Sequence, residues 1–309
     1  MRLLPDHYLQ IRDLIIYHPL VKSNFKIVAL GDLHISKIMG LEKLNPIMKQ
    51  LEKEKADYYT FLGDLVDSPS ELLQKNKKIE LLKTLKTAAE IGPTMVILGS
   101  HDFVTEEKDF EYFDYKKEFF DQMEEIPNLY LLNDSCYQDS RVFFMGYLQT
   151  LQYYYGKKVE HKEDLEAFFT DFSKMSNLYK NLPVDVPKVG LIHSPEYAND
   201  EKNVELLKEY DLLIGGHDHD GLIPFGLGNG KRGIISPKKA LFPDNVRGFR
   251  KLSTGTNMLI SGGIVKIQDC APKFMHPLNH VCPMQMDTIE FTNDVEKEKI
   301  SKRLVYTKK

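Results

Sequence analysis

A chain of 309 residues, 42% hydrophobic and 28% charged with a formal net charge of -4, has room for one large α/β domain or two small ones. Its mild acidity weighs against wholesale binding to nucleic acid or to an anionic membrane, leaving only a local basic patch open. Cys136, Cys270 and Cys282 are far apart and form no CxxC, which argues against a disulfide framework or a thiolate zinc site. No segment approaches the roughly 20 apolar residues that span a bilayer, and charge and proline interrupt residues 1–8 before a signal-type apolar core can form. A soluble, cytoplasmic protein is the expectation.

Residues 1–24 carry one apolar patch, Leu14-Ile15-Ile16-Tyr17, read as an N-terminal arm or extra strand. The run Phe25-Lys26-Ile27-Val28-Ala29-Leu30 then reads as a buried-type strand that stops at Gly31, with Asp32 and His34 just beyond. Positions i and i+2 of a strand share a side, so this pair is expected to aim at one object. Leu41, Leu44, Ile47, Met48 and Leu51 predict a helix over 41–56, with Pro46 marking its first turn or a kink. A second strand, 58–62, ends in Gly63-Asp64-Leu65-Val66-Asp67. A helix over 71–90, with Leu72, Ile79, Leu82 and Leu85 on one side, closes at Gly92-Pro93. A third strand, 94–98, ends in Gly99-Ser100-His101-Asp102. Strands alternating with helices predict a mostly parallel sheet whose working groups lie beyond the carboxyl ends of the strands.

An acidic, aromatic helix is predicted over 106–125, with Phe110, Phe113, Phe119 and Phe120 packing. Two short strands follow, 129–132 and 141–147, separated by Asn133-Asp134-Ser135. Residues 148–182, with Tyr153-Tyr154-Tyr155 and Phe168, Phe169 and Phe172, read as an insertion overhanging the site. A strand over 188–192 delivers His193. The stretch 211–221 ends in Gly216-His217-Asp218-His219-Asp220-Gly221. The last quarter reads as loops between shorter strands, including 257–261 and 287–291, and no linker or repeat divides the chain.

Neutral imidazole and carboxylate together suit Mn, Fe or Zn. Asp32, His34, Asp64, His193, His217 and His219 are more groups than one tetrahedral ion needs, and the economical arrangement is two ions about 3.5–4 Å apart sharing a carboxylate. One histidine near a strand end is more often structural, which is the reading for His7, His18, His276 and His280. Ligand-type residues at five strand ends on one rim are the signal. Asp102 and Asp220 read equally as turn residues or as groups orienting the imidazoles.

The ordered blocks Asp32-x-His34, Gly63-Asp64-x-x-Asp67, Gly99-Ser100-His101-Asp102, His193 and Gly216-His217-x-His219 resemble those of the calcineurin-like metallophosphoesterases over roughly residues 25–221. The resemblance implies an α/β fold, a four-layer α-β-β-α sandwich of two mixed sheets flanked by helices, formed as a single domain over 1–309 with residues 222–309 completing the second sheet. It implies that Asp32, His34 and His219 hold one metal, that Asp64 bridges, and that His193 and His217 hold the second. His101, oriented by Asp67, would sit over the scissile phosphate. Ser100 stands where the family has a ligating asparagine, which implies a looser second site. The implied activity is phosphodiesterase or phosphomonoesterase hydrolysis of a small phosphorylated substrate, with water activated by two divalent or mixed-valence ions attacking phosphorus in line. Two alternatives remain at this stage. One is a catalytically weak binding or scaffold module. The other is a nuclease, kept open by the basic run 231–251, whose only acid is Asp244 and whose Arg247 and Arg250 read as a steering patch or a solvated loop.

Overall fold

Residues 8–36, 40–67, 75–102, 113–147, 182–199, 207–224, 232–235, 241–268 and 271–306 are described by the structure, a computed structural model. Among them, strands β1 (Tyr8–Tyr17), β2 (Phe25–Leu30), β3 (Tyr58–Leu62), β4 (Thr94–Ile97), β5 (Leu129–Leu131), β12 (Met284–Thr292) and β13 (Lys299–Tyr306) form one sheet in the order β13-β1-β12-β2-β3-β4-β5. Strands β6 (Ser135–Gln138), β7 (Phe143–Tyr147), β8 (Lys188–Ile192), β9 (Leu212–Gly215), β10 (Gly248–Lys251) and β11 (Asn257–Ile260) form the other in the order β10-β11-β9-β8-β7-β6. Both sheets are mixed. β2 to β5 run parallel while β12 opposes β2, and β7, β8, β9 and β11 run parallel between antiparallel edge strands β6 and β10.

Alternation along each strand sorts the apolar residues into three layers. Phe25, Ile27 and Ala29 of β2, Tyr58 and Leu62 of β3, and Met95 and Ile97 of β4 face Phe144, Val189, Leu191, Leu212, Ile214 and Leu259 of the other sheet. The intervening residues, among them Val28, Leu30, Tyr59, Phe61 and Val96, face helices α1 (Leu41–Glu54), α2 (Lys75–Ile91) and α3 (Phe113–Glu124). The outer face of the six-stranded sheet is covered by Val186, Ala198, Leu207 and Tyr210. Being apolar on both faces, the strands read as continuous hydrophobic runs, as central parallel strands do. No helix of the described residues is long and apolar enough to cross a membrane.

Several expectations change. The N-terminal stretch supplies a ten-residue strand in the interior of the sheet, parallel to β12 and antiparallel to β13. Its Arg12 is buried, donating to Asp287 Oδ1 at 2.6 Å and to the Ile260 carbonyl of the opposite sheet at 2.7 Å. Residues 222–309 do not only complete the second sheet: β10 and β11 enter it, whereas β12 and β13 join the first. The Asn133-Asp134-Ser135 turn leads into an unforeseen strand, β6, rather than directly to β7. On α2 the buried face is Leu81, Leu85, Ala88 and Ala89, while Ile79 is half exposed at 50%. Leu72, Phe110, the tyrosines 153–155 and nearly all of the expected insertion over 148–182 lie outside the described residues.

Candidate metal centre

The parallel directions of β2, β3 and β4 in one sheet and of β8, β9 and β11 in the other bring their carboxyl ends to a common rim. Beyond those ends the backbone turns left-handed at Asp32 (φ 50°), His34 (φ 40°), Asp64 (φ 50°), His217 (φ 67°) and His219 (φ 47°). Such conformations in non-glycine residues cost about 1–3 kcal/mol each and persist where the surroundings over-determine them. Here the loops after β2 and β3 continue as a ladder: Asp32 N–H donates to the Gly63 carbonyl at 3.1 Å, His34 N–H to Asp64 at 2.9 Å and Ile35 N–H to Leu65 at 3.0 Å. Gly63, at φ 86°, lets the backbone of Gly99 and the ring of His193 pass close, for a Cβ there would lie 2.6 Å from Gly99 N and 2.7 Å from His193 Nδ1. The pair Asp32 and His34 therefore converges through left-handed turns past the strand end, not through strand alternation.

Two cradles result. Donor atoms of Asp32, His34 and His219 lie within 4.8 Å of one another, and so do those of Asp64, His193 and His217. A third grouping, His34, Asp64 and His101, meets the same limit and joins the two. Asp64 Oδ2 is 3.2 Å from His193 Nε2 and 3.5 Å from His34 Nε2, and His217 Nδ1 is 3.2 Å from His193 Nε2. Two ligands held about 2.0–2.2 Å from one ion, at angles between octahedral and tetrahedral, are separated by roughly 3.0–3.5 Å. Asp32 Oδ2, Asp64 Oδ2 and both ring nitrogens of His34 are buried without a hydrogen-bond partner, whereas buried polar atoms are ordinarily paired. A cation in each cradle fits these orphaned donors.

The remaining atoms of these side chains are tied to the backbone, which sets which atom faces inward. His193 Nδ1 donates to the Leu62 carbonyl at 2.7 Å and His219 Nδ1 to the Val265 carbonyl at 2.7 Å, so each turns Nε2 to the site. Asp32 Oδ1 accepts from His217 N–H at 3.0 Å, and Asp64 Oδ1 from His101 N–H at 2.8 Å. Burial raises the Asp64 carboxyl, but the imidazoles of His193, His101 and His34 outweigh it and hold the group well below the usual carboxylate range. Burial pushes His34 and His219 down. It also opposes the charge on His193, yet the Asp64 carboxylate prevails and lifts that imidazole to about 9.

Every expected metal-site residue except Ser100 appears in these contacts. Ser100 is buried between Gly99 and His101, and no contact described here carries its hydroxyl to a donor of the set. His101 stacks edge-on against His34 with ring centroids 4.8 Å apart. Its Nδ1 donates to the backbone carbonyl of Asp67 at 2.7 Å, so Asp67 orients it through the main chain, while Asp67 Oδ1 lies 3.5 Å from His34 Nδ1. Asp102 staples the rim loops instead of orienting an imidazole, accepting from Gly99, Leu65 and Val66 N–H, and burial lifts it to about 6. Asp220 pairs with Arg247 at 2.8 Å. Arg247 and Arg250 are buried, and Arg232 is paired with Asp244, so these three do not form a steering patch.

Sequence reasoning passed over the segment after β11. Gly263, at φ 67°, packs against the Asp32 carboxylate, Val265 holds His219, and the Gln268 amide lies 3.1 Å from His219 Nε2. The available signal was Gly262-Gly263, which follows its strand as Gly31, Gly63, Gly99 and Gly216 follow theirs.

The profile of the calcineurin-like phosphoesterases matches residues 25–221. An uncharacterized metallophosphoesterase of Helicobacter pylori is 25% identical over 223 residues, covering 71% of this chain and 51% of that protein, so the chain spans about half of that relative's length. An uncharacterized metallophosphoesterase of Aquifex aeolicus is 20% identical over 78% of each chain. Among solved structures, GAP50, the anchor in the inner membrane complex of Plasmodium, is 14% identical and aligns with 93% of this chain and 86% of its own at a TM-score of 0.47. The chain belongs to the calcineurin-like phosphoesterase family.

Proposed function

We propose that this chain, acting as one domain, is a two-metal phosphoester hydrolase. Asp32, His34, Asp64 and His219 hold the first ion, and Asp64, His193 and His217 hold the second, with Ser100 beside it. The observation that carries this reading is Asp64 Oδ2, a buried carboxylate oxygen placed 3.5 Å from His34 Nε2 of one cradle and 3.2 Å from His193 Nε2 of the other.

Divalent ions at such a site supply positive charge to the phosphoryl oxygens and lower the pKa of water toward neutrality. Asp64, fixed by the His101 N–H, keeps one oxygen turned to both cradles. His101, with Nδ1 committed to the Asp67 carbonyl, has Nε2 left to stabilise charge on the phosphoryl group or to pass a proton to the leaving oxygen. A small phosphorylated substrate is favoured over nucleic acid by the overall charge of -4 and by the burial of Arg247 and Arg250. The ligand set accommodates Mn, Fe or Zn, and the cytoplasm is the proposed compartment.

The test is hydrolysis of bis-p-nitrophenyl phosphate and p-nitrophenyl phosphate with Mn(II), together with metal content per chain. Turnover of at least one ester with two ions per chain supports the reading. No turnover of either with substoichiometric metal would replace it with a binding module.

A further inference from the structure

The segment after β11 crosses from the six-stranded sheet to the other one. Ser261 N–H donates to Gly215 at 2.7 Å, then Ile264 N–H to Gly31 and Val265 N–H to Asp32, each at 3.0 Å. It is pinned by the side chains of Lys266 and Asn279. Lys266 Nζ donates to the carbonyls of Gly262 and Gly263. Asn279 Oδ1 accepts from Lys266 N–H at 3.1 Å and Ile267 N–H at 2.9 Å, and its amide returns a bond to the Ile267 carbonyl at 2.9 Å. The next side chain is Gln268, which these bonds hold at the mouth of the first cradle.

The Gln268 amide is 3.1 Å from His219 Nε2. His219 Nδ1 donates to Val265, so Nε2 carries the lone pair and is the atom that faces the cradle. A spacing of 3.1 Å lies inside the roughly 3.0–3.5 Å expected between two ligands of one ion, and it matches the 3.2 Å between His193 Nε2 and Asp64 Oδ2. Once the His219 lone pair is given to an ion, an amide N–H has no acceptor there. A half-turn about the last torsion of glutamine exchanges its nitrogen for its oxygen.

We propose that Gln268 Oε1 is a ligand of the first ion, together with Asp32, His34, His219 and the shared Asp64. The inference rests on the two-metal reading above and extends its ligand set to a residue outside the recurring strand-end blocks. A set of more than four protein donors, most of them oxygens, favours Mn or Fe over tetrahedral Zn at this position. It also leaves the first ion few open positions, so substrate and water enter from the side of the second.

The experiment titrates Mn(II) into chelator-stripped full-length protein by calorimetry, with ions counted by elemental analysis. Wild type, Gln268→Leu and Gln268→Glu are compared, each also in a His217→Ala background that isolates the first cradle. Loss of a partner that merely orients a ligand already weakens metal binding about 10–100-fold, so Gln268→Leu is expected to weaken the first ion at least tenfold and leave the second unchanged. Gln268→Glu, which keeps an oxygen at the same reach, is expected to retain or tighten it. Equal weakening in Leu and Glu would overturn the proposal in favour of an amide that only hydrogen-bonds His219. Unchanged metal affinity with a raised KM for bis-p-nitrophenyl phosphate would overturn it in favour of a substrate contact. Wild type that binds no Mn(II) would overturn the two-metal reading as well, whereas two ions in wild type together with wild-type affinity for the first ion in Gln268→Leu would sink the ligand role of Gln268 alone.

Discussion

Asp64 stands between two cradles, within 3.5 Å of His34 and 3.2 Å of His193, that differ in almost everything around it. The first is closed: Asp32, His34 and His219 are all buried, and the segment from Gly262 to Gln268 lies across it. The second is open on one side, because His217 and neighbouring His101 are only half-buried. Their electrostatics differ at His193, since burial holds His217 of the second cradle below its usual range as well. Burial keeps His34 and His219 below their usual range and therefore neutral, ready to bind a cation. His193 is lifted to about 9 by the Asp64 carboxylate and holds a proton at neutral pH. One site is preorganised. The other must exchange a proton at His193 for its ion, and it is the site nearer to solvent.

The largest expected effect tests what the cradles have in common. Asp64→Asn is expected to lower occupancy of both sites and to reduce kcat/KM by about a thousandfold or more, since several kcal/mol of charge stabilisation depend on the ions. Loss of a single ion in that variant would show that Asp64 belongs to one cradle only. His101→Ala separates chemistry from binding. It is expected to lower kcat about 100-fold or more while metal content stays at the wild-type level, and full turnover would remove His101 from the reaction.

The third test concerns pH. Metal binding displaces protons from its ligands. A group lifted to about 9 must therefore give up its proton, and affinity at the second site is expected to climb about tenfold per pH unit from 7 to 9 before levelling off. The first site, whose imidazoles are held below their usual range, is expected to change less over that range. Parallel pH profiles for the two ions would erase the distinction. Ser100→Asn should give the smallest change, a few-fold to about tenfold tighter second ion by adding an amide oxygen, with the first ion unaffected. Unchanged affinity at both sites would mean that position 100 is not within reach of the second ion.

Much of the rim was legible because strand ends and ligand chemistry are local properties. The runs before Gly31, Gly63 and Gly99 became β2, β3 and β4 with ends within one residue of expectation. The buried face of α1 is Leu44, Ile47, Met48 and Leu51, as its spacing predicted. What was missed depends on partners distant in sequence. An N-terminal strand was among the expectations, but its interior place between β12 and β13 was not, nor was the burial of its Arg12, which meets Asp287 across 275 positions. Arg247 and Arg250 read as surface charges because their burial arises from the packed sheets. Gln268 has no local pattern, only a position 49 residues from the histidine it touches.

By itself the sequence determined the elements and the chemistry available to them, since hydrophobic period, strand-ending glycines and ligand type reside in the residues themselves. The tertiary structure decided how those groups aim. Asp32 and His34 converge because a ladder between two loops holds them in left-handed conformations that no isolated strand end would adopt. Asp67 turns its carbonyl, not its carboxylate, to His101. The segment that roofs the first cradle acquires its role only when the second sheet packs on the first, because its hydrogen bonds run to Gly31 and Asp32, at the end of a strand in the opposite sheet.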